Sequence, residues 1–174
     1  MNQKYPWCAA LAVTAALARP LPAAEPAGFE LFTESEAAAW NTAQPKESKD
    51  FTVRDLRDDN AAPTCRSTPN NDADNPQIRI AAPTLGKTLT PPFDIELVFV
   101  PTGSTPIRPD TFRVCYMGML AMDITKRITD RAPVSAKGLH LSGAKLPHGQ
   151  HRLVMLIADE HGRLARREAV FDIE

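Results

Sequence analysis

The chain has 174 residues, of which 43% are hydrophobic, so it can bury one sizeable core; one domain with extensions is the starting expectation. Its 20 basic and 21 acidic residues nearly cancel, which leaves no electrostatic case for nucleic acid as a partner. Its 16 prolines against 8 glycines argue for turns, edges and extended links over long helices.

The N-terminus has the layout of a secretory signal peptide, expected over residues 1–24. Lys4 supplies a single charge, WCAALAVTAALA (Trp7–Ala18) is an apolar run too short to cross a bilayer, and a small, proline-rich stretch follows. Cleavage fits after Ala18, at Ala16-Leu17-Ala18, or after Ala24. The second ends the apolar stretch and leaves a polar Glu25. Cys8 lies inside the run and not at its end, which speaks against a lipoprotein. The expected location is therefore periplasmic or secreted, with no transmembrane segment after cleavage. In an oxidising compartment the remaining pair, Cys65 and Cys115, is expected to form a disulfide closing a loop of about fifty residues. The alternative is two unpaired thiols.

Residues 25–75 read as a short helix followed by a polar linker. In FELFTESEAAAWNT, Thr33 followed by Glu36 is a capping-box pattern and the alanines behind it favour helix, about Glu34–Asn41. Phe32, Ala37 and Trp40 can share an apolar stripe. A helix this short is marginal alone, so it docks or frays. Gln44–Asn75 is charged and turn-rich, with Phe51, Val53 and Leu56 as its apolar anchors.

From Pro76 the pattern changes to short strands between turns. Gln77–Ala81 alternates. Pro92–Pro101 (PFDIELVFVP) places Phe93, Ile95, Leu97 and Phe99 on one face, with Asp94, Glu96 and Val98 on the other. PTGSTPIRPD reads as a loop. TFRVCYM (Thr111–Met117) puts Phe112, Val114 and Tyr116 together and Cys115 opposite. Ala121–Thr125 is a short strand, Lys126–Arg131 a helical turn or loop, and Leu139–Leu141 another strand. Gly149–Asp159 is apolar on both faces in its middle, as an interior strand is. A turn at Glu160–Arg163, with Gly162 free to take positive φ, returns the chain as Leu164–Ile173. About seven short strands with turns every eight to twelve residues describe an all-β, antiparallel two-sheet sandwich over 76–174, with an open barrel as the alternative.

The segment LPHGQHRLVMLIADEHGRLARREAVFDI resembles the last hairpin of bacterial immunoglobulin-like and cadherin-like domains. Pro147, Gly149, His151, Leu153, Asp159, Gly162 and Arg163 fall at the places of that pattern. The resemblance covers about Pro76–Glu174. It implies an immunoglobulin-like β-sandwich and says little about activity, because that fold hosts many unrelated tasks.

The polar residues offer four chemistries. Asp72 and Asp74, with Asn71 and Asn75, could supply oxygens to calcium, against a polar linker with Asx turns. His140, His148 and His151 are candidate imidazole ligands for a metal, against sheet-edge or turn histidines. His151 and Asp159 stand about 26 Å apart on an extended strand and cannot share an ion. Cys115 beside a histidine is the one formal nucleophile arrangement, against a disulfide. Lys126, Arg127 and Arg131 on ITKRITDR, together with Phe32 and Trp40, are candidate partner contacts, against a solvated charged face. Asp159 reads as a turn carboxylate that caps backbone N–H groups. The sequence thus points to an exported, non-catalytic binding or assembly module of the bacterial envelope, without a cofactor and with another envelope protein as partner. The alternative is a periplasmic metal or small-ligand carrier using its histidine-bearing loops.

Overall fold

The computed structural model describes residues 28–42, 63–70, 73–118 and 121–174. The leader expected over 1–24, most of the linker, Asp72 and the Trp40 side chain lie outside the described residues.

Among the described residues, nine strands and two helices follow in chain order: β1 (Phe29–Glu30), α1 (Glu34–Thr42), β2 (Gln77–Ala82), β3 (Thr88–Leu89), β4 (Phe93–Val100), β5 (Ile107–Met117), β6 (Ala121–Asp123), α2 (Thr125–Thr129), β7 (Gly138–Lys145), β8 (Gly149–Asp159) and β9 (Leu164–Ile173). One sheet has the order β1-β7-β4-β2, the other β3-β9-β8-β5-β6. Alternate side chains of both sheets meet between them. Ile95, Leu97 and Phe99 of β4 are each at most 5% exposed, as are Phe112, Val114 and Tyr116 of β5 and Leu153, Met155 and Ile157 of β8. The Phe99 and Phe112 rings lie 5.6 Å apart within this core. The fold is an all-β sandwich of two sheets.

Two features depart from the alternating pattern read in the sequence. The stretch expected as a loop up to Asp110 is already strand from Ile107, paired with Asp159 of β8. β5 then bulges: Arg108 pairs with Ala158 and Arg113 with Leu156, so residues 109–112 stand opposite Ile157 alone. Pro109 is tolerated there because an outlooped residue owes no ladder N–H. Thr111, 2% exposed, closes the bulge with its hydroxyl, which donates to the Arg108 carbonyl at 2.7 Å and accepts from the Ala158 N–H at 2.8 Å.

The second departure is that the sheets recruit chain from before Pro76. β1 pairs in parallel with β7, Phe29 opposite Ala144 and Glu30 opposite Lys145, so the sandwich is not antiparallel throughout; β3 likewise runs parallel to β9. Leu31 and Phe32 follow β1 directly into the main core, at 0% and 3% exposure. The approach demands glycine at position 28, where a Cβ would meet the Gly143 carbonyl oxygen at 2.8 Å. The short helix therefore begins from a docked segment. Its capping box is formed: Glu36 N–H donates to Thr33 Oγ1 at 3.2 Å and Thr33 N–H donates to Glu36 Oε2 at 3.1 Å.

β8 explains why its sequence is apolar on both faces. Its outer side chains, Val154 and Leu156, are covered with Cys115 by a second, smaller cluster that includes Cys65, Met117 and Leu164. Cys65 and Cys115 form a disulfide with Cα atoms 5.7 Å apart, stapling the segment around residue 65 across the outside of this sheet.

Candidate functional site

Three groups of polar side chains stand out, and the residues singled out in the sequence are distributed among them. The first holds the N-terminal arm, residues 28–42. Arg127 of α2 donates from Nη1 to the Leu31 carbonyl at 2.9 Å and to Glu36 Oε2 at 3.1 Å, and from Nη2 to Glu36 Oε1 at 2.8 Å. The same guanidinium lies 5.3 Å from the centre of the Phe32 ring, and Arg131 lies 5.3 Å from that of Phe29. Hydrogen bonds from Arg127, then from the Thr33 N–H, hold the Glu36 carboxyl at about 2, well below its ordinary value. Phe32 and Arg127, candidates for contact with a partner, thus meet each other within the chain, and Arg131, a third, meets Phe29. Lys126 differs: its ammonium pairs with Asp130 at 2.8 Å on an exposed surface.

The second group surrounds His151, which is 3% exposed on the core side of β8. Its Nε2–H donates to the Pro147 carbonyl at 2.7 Å, which leaves Nδ1 to accept the Tyr116 hydroxyl at 3.1 Å. Both ring nitrogens are engaged without a metal, and burial pushes the imidazole below its ordinary pKa. His140 sits on the outer face of β7, exposed, 2.9 Å from Ser142 Oγ and 3.9 Å from Asp94. His148 is exposed in the turn before β8. These three histidines do not converge, and among the described residues no three His, Cys, Asp or Glu side chains are grouped to hold a metal ion. Of the calcium candidates, Asp74 is exposed and Asp72 lies outside the described residues.

The third group closes the β8–β9 hairpin. Asp159 is fully buried and accepts the N–H groups of His161 at 2.9 Å and Arg163 at 3.0 Å, while its second oxygen takes Arg163 Nε at 2.7 Å. Gly162 adopts φ 74° in this turn. The expected capping task is met, with an ion pair added to it. Cys115, the formal nucleophile, is held in the disulfide on the opposite side of the sheet from this core.

Among the described residues, a solvent-open cleft of about 400 Å³ lies where the β5 bulge faces α2, lined by Pro109, Asp110, Phe112, Arg113, Thr125, Thr129 and Val134. Asp110 is paired to Arg108 at 2.8 Å, which lowers its pKa, and Arg113 Nη1 donates to the Phe112 carbonyl at 2.7 Å. The cleft therefore combines apolar walls with a near-neutral set of donors and acceptors. Sequence reading missed it, because it exists only through the register shift in β5. It also missed the Tyr116–His151 pair. The one trace of that pair is the four-residue spacing of Pro147 and His151.

No family model matches the chain, and no curated protein matches it by sequence. Among solved structures it is similar to the fibronectin(III)-like modules of Clostridium thermocellum CbhA. That likeness is at 14% identity and a TM-score of 0.35, and covers 56% of this chain and 45% of that one. The chain thus matches less than half the length of that structure.

Proposed function

We propose that the chain is an exported, non-catalytic immunoglobulin-like module that binds another protein of the bacterial envelope, with the cleft between the β5 bulge and α2 as its contact site. The cleft carries this reading: it is a solvent-open concavity beside a bulge held in shape by a buried threonine. The Cys65–Cys115 disulfide supports an oxidising destination. A non-catalytic role is supported by the way the reactive side chains are spent. Cys115 is oxidised, His151 has both nitrogens bonded, and Asp159 is saturated by the turn it closes. The histidine arrangement gives no support to a metal carrier.

The test is a photo-crosslinking residue placed at Asp110 in the full-length chain expressed in a bacterial host, with the same residue at exposed Gln150 as control. A discrete adduct in the periplasmic fraction from position 110, lost on Arg113→Ala and not formed from position 150, is the expected result. Absence of adducts from position 110, or retention of the chain in the cytoplasm with residues 1–24 intact, would overturn the reading.

A further inference from the structure

The buried histidine is tied to the arm and not only to the core. Its hydroxyl donor, Tyr116, carries the Phe32 ring against its own face, with centroids 4.5 Å apart. A continuous line of contact therefore runs from the Pro147 carbonyl through His151 and Tyr116 to Phe32, the residue that anchors residues 28–42. We propose that His151 is an acid-sensitive latch: protonating its ring breaks the arrangement that presents Tyr116 to Phe32. This releases the arm while the two sheets stay folded.

The chemistry is directional. Nδ1 accepts the Tyr116 hydroxyl only while it carries no proton. Once both nitrogens bear hydrogen, Tyr116 must turn its own hydrogen away from His151, and a cation is left 3% exposed. The Pro147 carbonyl offsets part of that charge, but burial outweighs it. The residue opposite on β9 is Phe171, the donor on β5 is Tyr116, and the turn contributes a backbone carbonyl and the exposed His148. The arm's own ionic pair, Glu36 with Arg127, meets the Phe32 ring, and among the described residues no carboxylate is ion-paired with the His151 ring. Tyr116 keeps its proton throughout, because burial raises its pKa.

The weakest way to relieve the strain is at the arm. β8 and β9 are joined by ten register pairs, whereas β1 meets β7 at two. Water reaches the ring more readily by lifting Phe32 than by opening the hairpin. The sign follows from burial, which favours the neutral ring in the docked state. A released arm lets water reach His151 and moves its pKa back toward the ordinary 6.5, so docking weakens as pH falls from about 6.5 toward the lower docked pKa. Glu36 acts in a separate window. Its pKa moves between about 2 docked and 4.5 free, so it contributes to release only below about pH 4.5.

The experiment is hydrogen–deuterium exchange of the full, oxidised chain from about pH 7 to about pH 5, corrected for intrinsic exchange and followed in peptides from the arm and from β8–β9. Protection of residues 28–42 should fall about tenfold over this range while β8–β9 keeps its protection. His151→Gln should make arm protection independent of pH. Tyr116→Phe should shrink the loss of arm protection between pH 7 and pH 5, since the neutral ring loses its donor and the docked pKa moves toward the free one. Equal arm protection at both ends, parallel loss in the arm and β8–β9, or an unchanged pH profile in His151→Gln would each overturn the proposal. The wild-type profile alone decides the case if either variant fails to fold.

Discussion

The disulfide is the interaction whose removal has the most calculable effect. Cys65 and Cys115 are 50 residues apart in sequence, and the chain-entropy relation for a loop of that length gives about 4 kcal/mol at 25 °C. The perturbation is the Cys65→Ala, Cys115→Ala double variant, which frees the denatured chain and trims the small cluster of Val154, Leu156, Met117 and Leu164. Trimming two thiols adds a smaller cost of the same sign. Domains of this size hold about 5–15 kcal/mol in total, so the variant should still fold, with its melting temperature lowered by roughly 10 °C. Urea unfolding under non-reducing conditions measures both quantities. The slope against urea should also rise, because an uncrosslinked chain exposes more surface on unfolding. A loss below about 1 kcal/mol with an unchanged slope would refute the reasoning, since the staple would then constrain nothing that the native chain does not already hold.

Three further outcomes follow from individual contacts. Asp159→Ala strips Arg163 of its partner and leaves the His161 and Arg163 N–H groups unpaired, so it should cost about 3 kcal/mol or more in chemical denaturation. Thr111→Val keeps the shape of a buried side chain but removes the hydroxyl shared by Arg108 and Ala158. It should cost about 1–3 kcal/mol in the same assay and raise amide exchange around the β5 bulge. Gly28→Ala places a Cβ against the Gly143 carbonyl oxygen at 2.8 Å and against Lys145 Cε. Exchange protection of Phe29–Phe32 should fall, with the melting temperature of the sandwich little changed.

The strand content was legible in the sequence because a two-residue period is a local property. Phe93, Ile95, Leu97 and Phe99 share a face whatever lies opposite them, and the structure buries Ile95, Leu97 and Phe99 at 5% exposure or less. The capping box of Thr33 and Glu36 was legible for the same reason, as was the hairpin closed by Asp159 and Gly162: each is made by residues within four positions of one another. β8 announced its interior place by being apolar on both faces. What covers its outer face, however, is a disulfide-held segment from far upstream, and the cysteine count only made that pairing expected.

Tertiary structure alone decided the roles of the polar residues. Arg127 looked free because its partners, Leu31 and Glu36, lie more than ninety positions away, and no short-range pattern encodes such a meeting. His151 looked like a ligand because an imidazole's task depends on what meets its two nitrogens, and Tyr116 reaches one of them only through the β5–β8 register. The cleft had no sequence signature, since Thr111 reads as an ordinary β-branched strand residue until Ala158 is placed beside it. Local order follows from backbone geometry and the spacing of apolar side chains. The use of a charged or hydrogen-bonding group follows from long-range neighbours, which are fixed only when the two sheets close on each other.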